Sequence, residues 1–354
     1  MEKKMCSGKV YSGIDLFKII AAILVVLLHA TETTDWYACE IKYVFTRLAV
    51  PFFFITSGFF FLQGLDSANN KREYFIRYEK KLLILFSIWA LVLYLPFVVL
   101  EYVHNNPDTT PLKLALLLIR RIFIIGPGPY WYLIALAWST VFLYFCYYKR
   151  EFILKAAIIL GLFFEICYTC FAGVLSQFFL FQLLFQVVHF VYSWEYNFFM
   201  FGIPFAGIGF LIGKTKLNWE KETSILILLA STLFRFFEYN LSKLIPSKFW
   251  ETNTLSIGFI LQAVAFFMLA KSVKLKWSYE KTVNVRQCSS FIYFVHAIIL
   301  YNILNPLLSR YTTWPVYSTK MIIPKVLMVL FLCLLLFVGI KKINNPRLNV
   351  LING

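Results

Sequence analysis

Lys18 and His29 stand eleven positions apart on the first apolar stretch of the chain, which reads DLFKIIAAILVVLLH over residues 15–29. Ionisable side chains inside a membrane-length apolar run are costly and are retained for function. Eleven residues complete about three helical turns, so the two groups share a face about 16 Å apart along the axis. Asp15 and Glu32 fall near the same stripe, three residues before Lys18 and three after His29. One helix would thus carry a cation near one membrane surface and a titratable imidazole toward the other. The cation attracts anionic ligands, and a neutral imidazole takes up a proton near pH 7.

The elements that must position this stripe follow from composition. With 60% hydrophobic and 15% charged residues over 354 positions, a soluble domain could not bury its apolar side chains. We read an all-α integral membrane protein, a single domain over 1–354. Apolar stretches predict ten transmembrane helices, at 13–32, 44–64, 82–103, 130–148, 152–172, 196–213, 223–242, 253–271, 288–308 and 321–340. Two other segments are harder to place. Residues 111–126 carry Lys113, Arg120 and Arg121, and residues 174–194 carry His189. Each is expected as an interfacial or re-entrant helix on the outer side, the alternative being two extra spans. The start has no small-residue cleavage site ahead of the first span, which is therefore expected to stay in the membrane.

The net charge of +16 raises nucleic acid as a partner. The basic residues instead sit in short loops. With the N-terminus inside, inner segments hold 22 of the 34 Lys and Arg residues and outer loops hold eight. That bias predicts both termini on the cytoplasmic side of the cell membrane. It also places Lys18 near the cytoplasmic face and His29 in the outer half. A donor from the cytoplasm and an acceptor from outside would meet near that imidazole. Cys167 and Cys170 form a C-x2-C spacing without a second pair, so zinc is not expected, and no metal-ligand cluster is apparent. Only Cys39 falls clearly in an outer loop, and no external disulfide is predicted.

At these residues the chain resembles the acyltransferase-3 family of integral membrane acyltransferases. Asp15, Lys18 and His29 match the family's first helix, with Lys where Arg is commoner. Arg47 through Phe59, RLAVPFFFITSGF, matches the second. Pro129-Tyr130-Trp131-Tyr132-Leu133, Phe199-Met200-Phe201-Gly202 and Ser290 through His296 come next, in family order. Val50–Gly58 is also similar to the membrane half of the serine racemases of vancomycin-resistance systems, which belong to the same family. The racemase half would need a long soluble barrel with a cofactor lysine, and none is expected in these residues. Nor is the extracytoplasmic domain that some relatives add.

The resemblance implies acyl transfer, usually acetyl from acetyl-CoA, to a hydroxyl of an extracytoplasmic acceptor such as a cell-surface glycan or a small molecule. Acyl-CoA is then a co-substrate, with no metal, no nucleic acid and membrane lipid as the surroundings. A hydroxyl attacking a thioester needs a base. His29 is the candidate, either as that base or as carrier of the acyl group; Glu32 would orient it or bind the acceptor hydroxyl. Lys18 would meet the donor phosphates, with Asp15 as its i+3 partner, against the plainer reading of a snorkelling lysine. His296 would join the donor or acceptor pocket, or make a structural hydrogen bond. Arg47 would line the same cavity, against an interfacial anchor, and Arg120 and Arg121 would contact phosphate or an anionic acceptor, against plain loop charge. Arg235 and Glu238, at i+3 in the seventh span, are either scaffold or acceptor site. Trp131 suits sugar stacking, against the commoner aromatic belt. The competing function is a transporter of a small polar solute such as an amino acid. Transporters often carry inverted repeats, and no clear repeat is found here.

Overall fold

The computed structural model describes residues 11–31, 36–192, 197–244, 256–311, 316, 318–343 and 345–352. Glu32, a predicted site residue, lies outside them. Among the described residues every element is helical and no strand occurs. In chain order we number α1 Ser12–Ala30, α2 Ala38–Ser67, α3 Lys71–Asn105, α4 Pro111–Arg120, α5 Gly128–Tyr147, α6 Glu151–Cys170, α7 Phe179–Tyr192, α8 Phe198–Lys214, α9 Lys221–Leu244, α10 Ile257–Ser272, α11 Tyr279–Tyr311, α12 Thr319–Ile343 and α13 Pro346–Ile352. Eight of these are long and apolar enough to cross a membrane. With the shorter α8 and α10, they answer the ten predicted stretches one for one. Eight and ten crossings are both even numbers, so the start of α1 and the end of α12 would lie on the same side.

The short apolar helices α4 and α7 do not reach across a hydrocarbon core of about 30 Å. They hold each other instead. Arg120, the last residue of α4, donates from Nε to the Val191 carbonyl at 3.0 Å and from Nη2 to the His189 carbonyl at 2.9 Å. Those carbonyls belong to the last described turn of α7, and the guanidinium satisfies them.

Helix starts carry the expected chemistry where they meet water. Asn70 accepts the Glu73 backbone N–H at the head of α3, and Ser278 accepts that of Lys281 at the head of α11. Inside the bundle, α2 and α8 cross at closest range. A Cβ on Gly58 would stand 1.9 Å from the Ala206 carbonyl oxygen, and one on Gly209 would stand 1.9 Å from that of Ile55. Each glycine thus admits the partner's backbone, the small-residue packing that brings membrane helices together without a hydrophobic drive.

Helix α1 lies among α2, α10, α11 and α12. Its contact with α11 is anchored near both ends. Asp15 is fully buried and takes the Arg286 guanidinium as a fork, Nε to Oδ1 at 3.1 Å and Nη2 to Oδ2 at 3.2 Å. About 21 Å further along α1, the ring of His29 lies 5.2 Å from that of His296. The two helices therefore run parallel, as first and ninth spans must.

Five helices or their extensions contain a π-helical turn: Ile41–Phe45, Ser87–Val92, Arg121–Ile125, Phe198–Gly202 and Ile298–Leu304. Such turns hold one residue more than α-helix and gather at functional sites.

Candidate active site in two adjoining cavities

Two cavities lie toward opposite ends of α1. The first, about 530 Å³, is walled by His29, Lys42, Arg47, Arg121, Trp131 and Tyr301 among others. The second, about 400 Å³, is walled by Lys18, Lys81, Arg286, Thr56, Ser57 and Tyr78 among others. Tyr132 and Tyr293 line both. Their rings meet edge to face, centroids 5.6 Å apart at 71°. The Tyr132 hydroxyl is 2.9 Å from Ser57 Oγ, and the Tyr293 hydroxyl donates to the Pro129 carbonyl at 2.8 Å. These bonds fix a two-ring partition where the cavities adjoin.

The first turn of α5 is held by reciprocal bonds. Tyr293 bonds Pro129, and Tyr130 donates to the Phe294 carbonyl at 2.5 Å. Gly126 and Gly128 turn the chain here at φ of 75° and 52°. Side chains other than glycine rarely take that conformation. The Gly-Pro-Gly-Pro turn thus ties the partition to the head of α5 and sets Trp131 on the first cavity, packed by Phe54 and Phe201.

In the first cavity His29 is partly exposed, with Nδ1 2.9 Å from the Tyr301 hydroxyl. Lys42 donates to the Thr31 carbonyl at 3.0 Å. Arg47 lies over the Tyr43 ring, 4.5 Å from its centroid. Arg121 Nη1 reaches the Gly126 carbonyl at 3.4 Å, and its buried Nε has no hydrogen-bond partner among the described residues.

In the second cavity Lys18 Nζ is 3.5 Å from Asp15 Oδ1 and 5.1 Å from the Phe60 ring centroid. Arg286 shares the same carboxylate. Asp15 therefore sits behind the wall and orients two cations, while Lys81 adds a third at the rim. A mouth of three cations over hydroxyl-bearing walls suits a polyanionic ligand. Arg286 presents the planar fork that Lys18 lacks, although Asp15 already occupies part of it.

Of the residues read from the sequence, the structure thus brings His29, Arg47, Arg121 and Trp131 together in one cavity and sets Lys18, with Asp15 behind it, on the other. His296 is fully buried beside His29 and outside the lining of either cavity. Arg120 is engaged with the end of α7. Arg235 and Glu238 are buried between α9 and α10. Arg235 Nη1 donates to Ser256 Oγ at 2.7 Å, and Ser256 Oγ donates to Glu238 Oε2 at 2.6 Å. Glu238 also accepts the Gly258 N–H at 3.2 Å, capping the start of α10. Arg235 Nη2 extends to the Tyr43 carbonyl at 3.4 Å. The pair reaches the first cavity through Phe259, a lining residue whose ring centroid is 5.4 Å from the Arg235 guanidinium, and through Tyr43, whose ring carries Arg47.

Sequence reasoning missed Tyr301, Lys42, Lys81 and Arg286 as wall residues. Arg286 had a signal. It precedes His296 by ten residues, so α11 nearly repeats the cation–histidine spacing of α1. Tyr301 had none, because its position depends on the π turn that carries it.

The fold and site define a multi-pass membrane protein in which a histidine-bearing cavity adjoins a cationic one. A family of acyltransferase domains matches residues 11–345, and the chain belongs to that family, the acyltransferase-3 proteins. The chain is also similar to two proteins of Enterococcus faecalis named amino-acid racemase. One is 30% identical over 221 residues, covering 59% of this chain and 28% of the relative. The other is 35% identical over 140 residues, covering 37% and 18%. The chain thus spans less than a third of the length of these relatives. No solved structure matches the chain.

Proposed function

We propose that this protein transfers an acyl group, acetyl from cytoplasmic acetyl-CoA, to a hydroxyl of a cell-surface glycan or small extracytoplasmic acceptor. The observation that carries the reading is the pair of adjoining cavities, each lined by three basic side chains and only the first also by His29. The bias of basic loop residues places the Lys18 cavity on the cytoplasmic side. There Lys18, Lys81 and Arg286 would hold the donor's phosphates, and the thioester arm would extend toward the Tyr132–Tyr293 partition. The acceptor would enter the His29 cavity from outside, against Trp131, Arg47 and Arg121.

With Nδ1–H donated to the Tyr301 oxygen, His29 has a bare Nε2. In direct transfer that nitrogen takes the acceptor hydroxyl proton as the oxygen bonds the acyl carbon and the carbon–sulfur bond breaks. In the two-step route Nε2 itself bonds the acyl carbon as the carbon–sulfur bond breaks and the thiolate leaves; the acceptor oxygen then displaces the imidazole, and its hydroxyl proton ends on the thiolate. Either route yields an ester and free CoA thiol.

The test is thiol release by the purified protein with acetyl-CoA and a mixture of cell-wall sugars and amino acids. Activity lost in His29→Ala, with a raised donor KM in Lys18→Ala, is the expected result. If the wild type neither binds nor consumes acyl-CoA, while uptake of a small solute depends on it, the reading falls to transport.

A further inference from the structure

His296 Nδ1 stands 2.6 Å from the Tyr293 carbonyl oxygen and 3.2 Å from that of Ile292. A carbonyl oxygen only accepts, so Nδ1 carries the proton and, in the neutral ring, Nε2 is a bare acceptor. That Nε2 is buried and has no hydrogen-bond partner among the described residues. A histidine kept for structure alone normally satisfies both nitrogens. His296 is instead held by its own helix in one tautomer with an unused lone pair, its ring tilted 38° to that of His29.

The geometry points to His296 as a positioning residue for the transfer, the second imidazole that shares the proton His29 takes from the acceptor. The inference rests on the acyl-transfer reading above. The acceptor O–H bond breaks and its proton passes to His29 Nε2. The oxygen bonds the acyl carbon, the carbon–sulfur bond breaks, and the proton ends on the thiolate as free thiol. Between these events His29 is an imidazolium, and one side of its ring lies against the buried His296. The lone pair of His296 offers that charge its nearest aromatic base. The backbone bond at Nδ1 keeps His296 from swinging away or presenting N–H to N–H. Tyr301, from the same helix, holds His29 through its other nitrogen. Helix α11 thus supplies partners for His29 from two positions, 296 and 301.

Two substitutions separate the nitrogens of His296. Asn keeps an N–H near Nδ1 and places nothing at Nε2, whereas Gln reaches the Nε2 position with a carbonyl acceptor. His296→Asn is expected to lower kcat about a hundredfold with donor and acceptor KM little changed, as for loss of a proton-transfer partner. His296→Gln is expected to recover part of kcat. Equal rates for wild type and both variants, or a raised KM with kcat intact, would overturn the inference. A measurement on the wild-type protein needs no variant to fold. Histidine-selective 15N spectra should show His296 neutral and protonated at Nδ1. A proton at Nε2 instead would also overturn it. Failure of the parent reading looks different, since the wild type would then release no thiol at all.

Discussion

Tyr132 and Tyr293 meet edge to face between a cavity that holds Lys18 and one that holds His29, and both rings belong to both walls. Each hydroxyl is tethered, one to Ser57 and one to the Pro129 carbonyl. The partition is therefore a fixed part of the site, and a reacting thioester would have to pass it.

Tyr293→Leu keeps apolar volume but removes the edge of the partition and the bond to Pro129. Thiol release in the absence of acceptor should rise several-fold as water gains the thioester, while acceptor-dependent transfer falls. Parallel assays with and without acceptor check this. Unchanged leakage would mean that the rings do not separate donor from acceptor.

Asp15→Asn removes the charge that organises Lys18 and Arg286. The guanidinium side chain is 46% exposed, so the fork is partly screened. The stability cost is expected at about 1–2 kcal/mol, below that of a fully buried pair. The functional mark should be a donor KM raised about tenfold with acceptor KM unchanged, consistent with about 1.4 kcal/mol of binding.

Gly58→Ala forces a methyl against the Ala206 carbonyl at the α2–α8 crossing. We expect a loss of about 1–3 kcal/mol, the cost of overpacking a close contact. A lowered melting temperature in detergent would record it. Ala206 cannot relieve the clash by a rotamer change, since the colliding atom is backbone.

Neighbouring arginines should differ. Arg120→Ala releases the last carbonyls of α7 and should lower stability by about 1 kcal/mol, with transfer kinetics within about twofold of wild type. Arg121→Gln should raise acceptor KM about tenfold, because that guanidinium lies on the His29 cavity wall. Steady-state kinetics on the two variants would separate them, and equal effects would place both at the site or neither.

Much of the architecture is legible in the amino-acid order alone. Bilayer-length apolar runs dictate helices, and all ten stretches correspond to one. Lys18 and His29 were legible for a physical reason: charge on an apolar helix stands out. Arg286 did not, because it falls among the loop cations that topology explains. Its fork on Asp15 and its place on the wall of the Lys18 cavity emerge only in the structure. Arg235 and Glu238 stood out equally well as charges, and the sequence left open whether they were scaffold. Their bonds to Ser256, Gly258 and Tyr43 place them in the support of Arg47. The partition was not legible, since nothing in two tyrosines from distant helices announces that their rings will meet.

The π-helical turns have a consequence for how such a site changes over time. Lys42, Arg121, Phe201 and Tyr301 all face the His29 cavity from turns of this kind. Each turn owes its aim to one surplus residue in the helix. Removing that residue would rotate the downstream part of the helix by about 100° and withdraw the side chain from the chamber. The room around the imidazole is thus set at four places by chain length. It can be re-cut by single-residue insertions and deletions that leave every remaining amino acid as it was.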